Sequence, residues 1–369
     1  MQEQQNNSIE ITNLNVTVKQ SFYNFTLEKL KAILEANGMK PFVAKQLYKW
    51  VYKDHVTDFS LMTDISKNNQ KTLATLFYFP KLVVKNKLIA SNHATFKFLF
   101  ELEDKNLIET VIMHHKYGYS ACLTTQVGCN MGCSFCASGQ LKKVRNLTVS
   151  EIVLQLVTCD EFLQKFNGNS ITRIVIMGIG EPFDNYDNLL DSIKIINNPY
   201  GIGLGSRKIT ISSCGLMEKM INFAKEMPQV NLAISLHASN QNLRMQMMPI
   251  ARRYKYEDVL NGIDELVRLT NRRVTLEYIL IDNLNDSYEN AVELANNFKN
   301  KLVYVNLIPY NPVLNNPFNY FRSTHAKQFQ KQLTELGVQC TLRHEFGTDI
   351  NAACGQLRAV NMNPKVRNK

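Results

Sequence analysis

Eight cysteines are spread over a chain of 369 residues, and three of them fall in one short run, Cys129-Asn130-Met131-Gly132-Cys133-Ser134-Phe135-Cys136. Thiols at gaps of four and three on a single loop point to metal ligation. A zinc site closed by protein alone uses four ligands, most often two pairs of cysteines each two residues apart. Here His114 and His115 do not extend the run at such a spacing, and Cys122 lies seven residues upstream. Three thiolates without an evident fourth suit an iron-sulfur cube held through three of its irons, with the last iron open to a cofactor or substrate. Gly128 and Gly132 would give the loop the backbone freedom to wrap a cube. Zinc, or three unrelated buried thiols, are the alternatives.

Other groups capable of chemistry lie far from this run. Ile350-Asn351-Ala352-Ala353-Cys354-Gly355-Gln356-Leu357 sets a lone cysteine among small residues, which favours an accessible thiol. Cys122 is its natural partner, being the one other cysteine beside the triplet, while Cys159, Cys214 and Cys340 read as core. Met177-Gly178-Ile179-Gly180-Glu181-Pro182 follows an apolar run but lacks the third glycine of a dinucleotide loop, and Glu181-Pro182 is expected to stop a helix from opening at once. Its glycines would let a ligand lie on the backbone, and Glu181 or nearby carbonyls would accept from an amino group. Ser212-Ser213, Ser235-Leu236-His237, Asn306 and Asn311 are polar groups suited to a ribose and a purine edge. Ser212 or Ser235 as a helix cap, and His237 as a structural histidine, are the bland alternatives.

These groups need a scaffold that brings distant segments to one place. Apolar strands are expected at 171–177, 208–212, 230–236, 274–281, 302–308 and 338–343, alternating with helices at 149–166, 186–196, 216–226, 256–270, 287–298 and 323–336. Such alternation predicts an α/β fold, a parallel barrel, complete or partial, with its chemistry at the C-terminal strand ends; a doubly wound sheet is the competing architecture. Upstream, 107–114 and 119–125 form a hairpin around Lys116-Tyr117-Gly118. Residues 1–100 form a small helical domain, with helices at 27–35, 43–51 and 70–79 and a basic face of lysines such as Lys40, Lys45, Lys49, Lys67 and Lys71. Helix starts are expected at Ser150-Glu151 and at Asp187.

A formal charge of +10 from 42 basic and 32 acidic residues suits a polyanion, nucleic acid foremost. Arg207, Arg244, Arg252, Arg253, Arg272 and Arg273 add positive charge to the later segments, suited to phosphates or to ordinary ion pairs. With 45% hydrophobic and 20% charged residues the composition is that of a soluble globular chain. The polar N-terminus and the lack of long apolar runs predict a cytoplasmic protein without a membrane span, where thiols stay reduced.

The cysteine run resembles the CxxxCxxC signature of radical S-adenosylmethionine enzymes. Within that superfamily, Cys122 ahead of Cys129, MGIGEP at 177–182, SLHA at 235–238, NLIPYNP at 306–312, AACGQL at 352–357 and LYKWVY at 47–52 resemble the RlmN/Cfr family of adenine methyltransferases, nearest its carbon 2 type. The resemblance implies a partial (βα)6-type radical SAM barrel over 101–369 behind an N-terminal accessory domain over 1–100. It also implies one 4Fe-4S cluster on Cys129, Cys133 and Cys136 and two molecules of S-adenosylmethionine per turnover, one to methylate Cys354 and one to yield the radical that activates that methyl.

Cys122 would then release the RNA adduct through a transient disulfide with Cys354, and Glu109 would handle the proton. Gly180 and Glu181 would meet the cofactor's amino group, Ser212 its ribose, and Ser235, Leu236, His237 and Asn311 its adenosine. The partners implied are an adenine of the 23S rRNA peptidyl transferase centre, the adenine 3′ of certain tRNA anticodons, and an electron donor such as flavodoxin or ferredoxin; the chain is expected to act as a monomer. Pro182 matches the carbon 2 enzymes, where the carbon 8 resistance enzymes tend to carry alanine. Carbon 8 methylation and a non-catalytic zinc-containing RNA-binding protein are the remaining alternatives.

Overall fold

The computed structural model describes residues 18–313 and 316–357. Three helices, α1 (Leu27–Ala36), α2 (Phe42–Tyr52) and α3 (Lys67–Leu76), make up the N-terminal part. Thr26 and Ser66 cap α1 and α3 by accepting from Lys29 N and Asn69 N. An aromatic core of Phe22, Tyr23, Tyr48, Tyr52 and Phe77 holds the helices together. Hydrogen bonds Ser21–Ser150 (2.8 Å) and Ser150 N to Asn24 (2.9 Å) fasten this part to the larger one.

The helical part ends earlier than residue 100. Val83–Ile89 (β1) and Thr95–Glu101 (β2) are strands of the central sheet. They form an antiparallel meander with β3 (Leu107–His115) and β4 (Gly118–Leu123), the predicted hairpin. From β4 onward every neighbour is parallel: β5 (Ile171–Ile176), β6 (Ile209–Ser213), β7 (Asn231–Ser235), β8 (Val274–Leu280), β9 (Val303–Pro309) and β10 (Cys340–Leu342). The crossovers carry α4 (Val149–Asn167), α5 (Tyr186–Asn197), α6 (Met217–Glu226), α7 (Gln241–Met247), α8 (Tyr256–Thr270), α9 (Tyr288–Phe298) and α10 (Ala326–Glu335).

Sheet order equals chain order throughout, which excludes the doubly wound alternative, because that fold reverses direction at a switch point. The sheet also curls. Lying flat, ten strands would separate β10 from the β1–β2 turn by about 43 Å. Yet Asp349, seven residues past Leu342 and so within about 25 Å of chain, accepts from Ser91 N at 2.8 Å in that turn. Segment 343–357 therefore straps the open side of a partial barrel.

Alternation along the strands separates two faces. Ile174, Ile176, Ile209 and Ile211 are buried beneath the helices, whereas Val175, Met177, Ser212, Ser235 and Asn306 on the inner face are only partly covered. The start of α4 lies at Thr148, which forms a capping box with Glu151, so Ser150 is inside the helix and not its cap. Nor does Pro182 stop a helix: it occupies the first position of the 3-10 turn Pro182–Asn185, where its missing N–H costs nothing, and α5 follows directly. Among the described residues no helix is long and apolar enough to cross a membrane.

Candidate active site

The cysteine run leaves β4 through a tight loop. Gly128 has φ +75°, and a Cβ there would sit 2.1 Å from Lys142 O; Gly132 has φ +66°. Cys129 N donates to Leu141 O, Cys136 N to Cys133 O, and Ser134 N to Met247 O, so the loop is braced from both sides. Burial pushes the Cys129 thiol up to about 12 and the Cys133 thiol well above its ordinary value, with neighbouring thiols raising both further. Among the described residues no group of three or more His, Cys, Asp or Glu side chains gathers as a single metal ion would need. Three thiols, Cys129 buried and Cys133 and Cys136 partly so, that sense one another without meeting at a point fit a multi-iron body better than one zinc, and a metal's charge would displace their protons.

A second observation fits a charged ligand beside them. Arg244 on α7 is fully buried, and only its Nη2 is bonded, to Cys214 O at 2.6 Å and Ser235 O at 3.4 Å. Its Nε and Nη1 have no partner among the described residues. Burial lowers its pKa while Cys214 and Cys133 support its charge. An anionic group such as the carboxylate of S-adenosylmethionine would satisfy these donors.

The predicted cofactor residues divide into two groups. Ser212 and Ser235 face the barrel interior with hydroxyls 3.3 Å apart, and Asn311 is buried on the wall of the central cavity. Neither serine caps α6: the Ser213 hydroxyl braces the turn ahead of it, accepting from Gly215 N and Leu216 N. Glu181, however, is occupied: one oxygen accepts from Phe183 N at 3.0 Å and the other from Cys214 N at 2.8 Å. It clamps two strand-end turns together, and burial raises its pKa against those bonds.

The adjoining glycines serve the same packing. A Cβ on Gly178 would come within 2.6 Å of Thr124, and one on Gly180 within 2.7 Å of Gln126, so the close approach is to the protein itself. Leu236 offers no side chain to a ligand because it is fully buried in the main core. His237 is held in the left-handed region at φ +56°, and its Nδ1 accepts from Ile279 N at 3.0 Å. Its ring meets Phe135 of the cysteine loop edge-on, and burial with Arg244 nearby lowers its pKa to about 3, leaving a neutral brace.

Cys122, Cys354 and Cys136 line one cavity that opens to solvent, together with Met177, Asn311 and Arg343. Cys354 is thus on an inner wall and not on the outer surface. Gly355 O accepts from Ala137 N at 2.7 Å and Leu357 O from Ser138 Oγ at 2.7 Å, so the Cys354 segment hangs on the turn just after Cys136. Burial and Cys354 push the Cys122 thiol up to about 12. Arg343 stands beside both thiols, its charge favoured by Cys354 first and by Glu277, 4.0 Å away. Glu277 in turn accepts from Asn306 Nδ2 at 2.8 Å.

Glu109 shares the inner sheet face with Cys122 but lies in a smaller neighbouring cleft, paired with Lys97 at 2.8 Å; both are almost fully buried. The same Lys97 Nζ donates to Asn351 O at 3.0 Å, three residues before Cys354. Arg244, Lys97, Glu277 and Arg343 are thus site residues that sequence inspection did not single out for these places. A charged residue inside an apolar run, as in Phe96-Lys97-Phe98 and Leu276-Glu277-Tyr278, is the signal that was available.

A curled parallel sheet with three thiols on the loop after its first parallel strand defines a radical SAM enzyme, and the profile of the Radical SAM superfamily matches residues 123–295. A second profile, the ribosomal RNA large subunit methyltransferase N-terminal domain, matches residues 20–78. The chain is 50% identical over 338 residues to a probable dual-specificity RNA methyltransferase RlmN of Malacoplasma penetrans (strain HF-2), covering 92% of this chain and 96% of that one. A protein of Spiroplasma citri with the same description is 48% identical, over 92% and 98% of the two chains. The crystal structure of a radical SAM methyltransferase from Sphaerobacter thermophilus superposes with a TM-score of 0.86 at 38% identity, over 92% of this chain and all of that one. The chain belongs to the RlmN family of radical SAM methyltransferases.

Proposed function

We propose that this enzyme methylates carbon 2 of an adenine in 23S rRNA, and of the adenine 3′ of the anticodon in certain tRNAs, by way of a methyl carried on Cys354. The supporting observation is the single cavity that Cys136, Cys122 and Cys354 line together. A 4Fe-4S cluster held by Cys129, Cys133 and Cys136 supplies, when bound and reduced, the electron that splits S-adenosylmethionine, of which two molecules enter per turnover. Ser212, Ser235 and Asn311 orient the nucleoside portion, and Arg244 neutralises the carboxylate.

Adenine carbon 2 is electron-poor and offers no nucleophile to a sulfonium methyl, so the protein must carry the carbon on its own sulfur. Cys354 does so from the cavity wall, where its segment is tied to the cysteine loop by Ala137 and Ser138. The methyl on Cys354 gives up one hydrogen atom to the radical derived from the second S-adenosylmethionine, and its carbon bonds to carbon 2; the adduct then gives up one electron, which the oxidised cluster would take, and the carbon 2 proton, which Glu109 would receive. Cys122, losing its own proton, bonds to the Cys354 sulfur as the sulfur–carbon bond breaks, and the departing carbon takes up a proton to leave as the methyl of the free base. Two electrons and two protons from an external reductant restore the thiols. The target base must enter unstacked, as in a loop or a flipped nucleotide. A flavodoxin or ferredoxin reduces the cluster, and the monomer is the working unit in the cytoplasm.

The test is to incubate reduced, cluster-loaded enzyme with unmodified rRNA and tRNA fragments and map the methylated atom, with mass spectrometry of Cys354 in parallel. Carbon 2 product and a methyl on Cys354 are expected. An unmodified Cys354 together with full activity of Cys354→Ala would sink the mechanism, and a carbon 8 product would move the enzyme to the resistance type.

A further inference from the structure

The segment after β9 carries three aromatic residues in four positions, Phe318, Tyr320 and Phe321, and it is joined to the cavity wall through Arg322 and Glu345. Its anchors are specific. Asn316 Nδ2 donates to Ser134 O at 2.9 Å and to Tyr310 Oη at 3.1 Å, and the Tyr320 hydroxyl lies 3.0 Å from Ser134 Oγ, inside the cysteine loop. Further along, Asp282 N donates to Phe321 O at 3.0 Å just past the end of β8, and Arg322 is ion-paired with Glu345 of the cavity wall. The backbone is thus fixed at both ends to the site.

Despite these anchors two of the three rings remain in solvent: Phe318 is 52% and Phe321 70% exposed. Phe318 is stacked on Tyr320, with centroids 5.5 Å apart and planes within 17°. Single exposed apolar side chains need no explanation. Two phenylalanines three residues apart, both more than half exposed and one of them stacked on Tyr320, leave aromatic surface open on a braced segment. Asp282 adjoins Phe321 on one side, and toward the cysteine loop the charge is positive. Ser134 also bonds Met247 O, and the turn that follows α7 carries Arg252 and Arg253, exposed and without an ion pair among the described residues.

We infer that Phe318 and Phe321 form a stacking platform for an unpaired RNA base next to the one held in the cavity, with Arg252 and Arg253 facing its phosphates. The inference rests on the RNA methyltransferase reading and names the part of the enzyme that keeps the loop strand splayed. Base recognition by an open aromatic face tolerates any sequence, because every base has a π surface. An unstacked target needs such support, since its flanking bases lose their own stacking partners when it leaves.

The experiment uses cluster-loaded full-length enzyme and an RNA stem-loop with 2-aminopurine beside the target adenine. Wild type is expected to quench the 2-aminopurine emission on binding. The Phe318→Leu/Phe321→Leu double variant, which keeps apolar bulk but loses both rings, should fail to quench and raise the RNA KM by about tenfold or more, with kcat falling much less. Phe318→Tyr/Phe321→Tyr should restore both readouts. Phe166→Leu, an exposed phenylalanine on α4 away from the mouth, should match wild type. If the leucine variant quenches and binds as wild type does while wild type methylates RNA, the platform is overturned and the RNA reading stands. If wild type methylates no RNA at all, the parent reading falls and the platform with it.

Discussion

Cys136 and Cys354 line one cavity but stand on differently made supports. The triplet side is local: three thiols on a single loop, braced by Leu141 O and Met247 O, backed by the Glu181 clamp and the neutral His237. That side is held by short-range bonds, with Cys129 buried and Cys133 and Cys136 partly so, as suits a cofactor that stays in place. The carrier side is assembled from afar. Cys122 sits on β4 and Cys354 on a strap more than two hundred residues later, which is held mainly by backbone carbonyls accepting from Ala137, Ser138 and Lys97. Thiols that must bond to a substrate and then to each other need room to move. A strap fastened by a few hydrogen bonds permits small displacements that a strand end does not.

The sharpest way to break this division is to remove one thiol from each side. Cys133→Ala should lose the iron and with it every activity, leaving a colourless protein. Cys354→Ala should keep a full complement of about four irons per chain and still cleave S-adenosylmethionine, while RNA methylation drops by a factor of at least about 10³. If iron content falls equally in both variants, the two sides are not separate and the comparison fails.

A smaller effect distinguishes Cys122 from an ordinary thiol. Burial and the neighbouring Cys354 raise its pKa from 9.0 to about 12, so the thiolate fraction near neutrality is about a thousandfold lower than for a free cysteine. Because pH stays below the folded value, the fraction grows about tenfold per unit with no plateau. Alkylation of Cys122 by iodoacetamide, followed by mass spectrometry, should therefore climb steadily from pH 7 to pH 10. A plateau near pH 8 or 9 would show that the site is solvated and the Cys122 wall is not as drawn.

The two sides also differed in how far they could be read from the chain alone. The triplet is a local spacing and the six alternating strand and helix units are periodic, so both show in the chain, whereas Cys122 and Cys354 are joined in sequence only by resemblance and by the small residues around Cys354. Strands β1 and β2 were hidden because Val83–Ile89 is a solvent-facing edge strand rich in lysine, so its composition resembles the helical region before it. The Glu181 carboxylate was assigned outward to a ligand, whereas two backbone N–H groups already hold it, one of them from Cys214, thirty-three residues away. In sequence Arg244 reads as one of several arginines suited to phosphates or ordinary ion pairs; only the packing of α7, a helix not expected from the chain, shows it to be buried. Long-range pairing of this kind leaves no periodic trace.

Lys97 tests the carrier side at its anchor. Its ammonium joins Glu109 on β3 to Asn351 O on the strap, in a setting where both charged side chains are almost fully buried. Lys97→Met removes the cation while keeping the length of the side chain, so the Glu109 carboxylate stays buried without its counter-charge at a cost of about 3 kcal/mol. The melting temperature should fall accordingly. The strap would lose one fastening, and alkylation of unmethylated Cys354 should quicken several-fold while iron content is unchanged. Adding Glu109→Gln should recover much of the stability, because the unbalanced charge is gone, but not the slower alkylation, because Asn351 O still has no donor. If the double variant restored both, the lysine would serve only to neutralise Glu109, and the strap would owe its position to Ala137 and Ser138 on the cluster side.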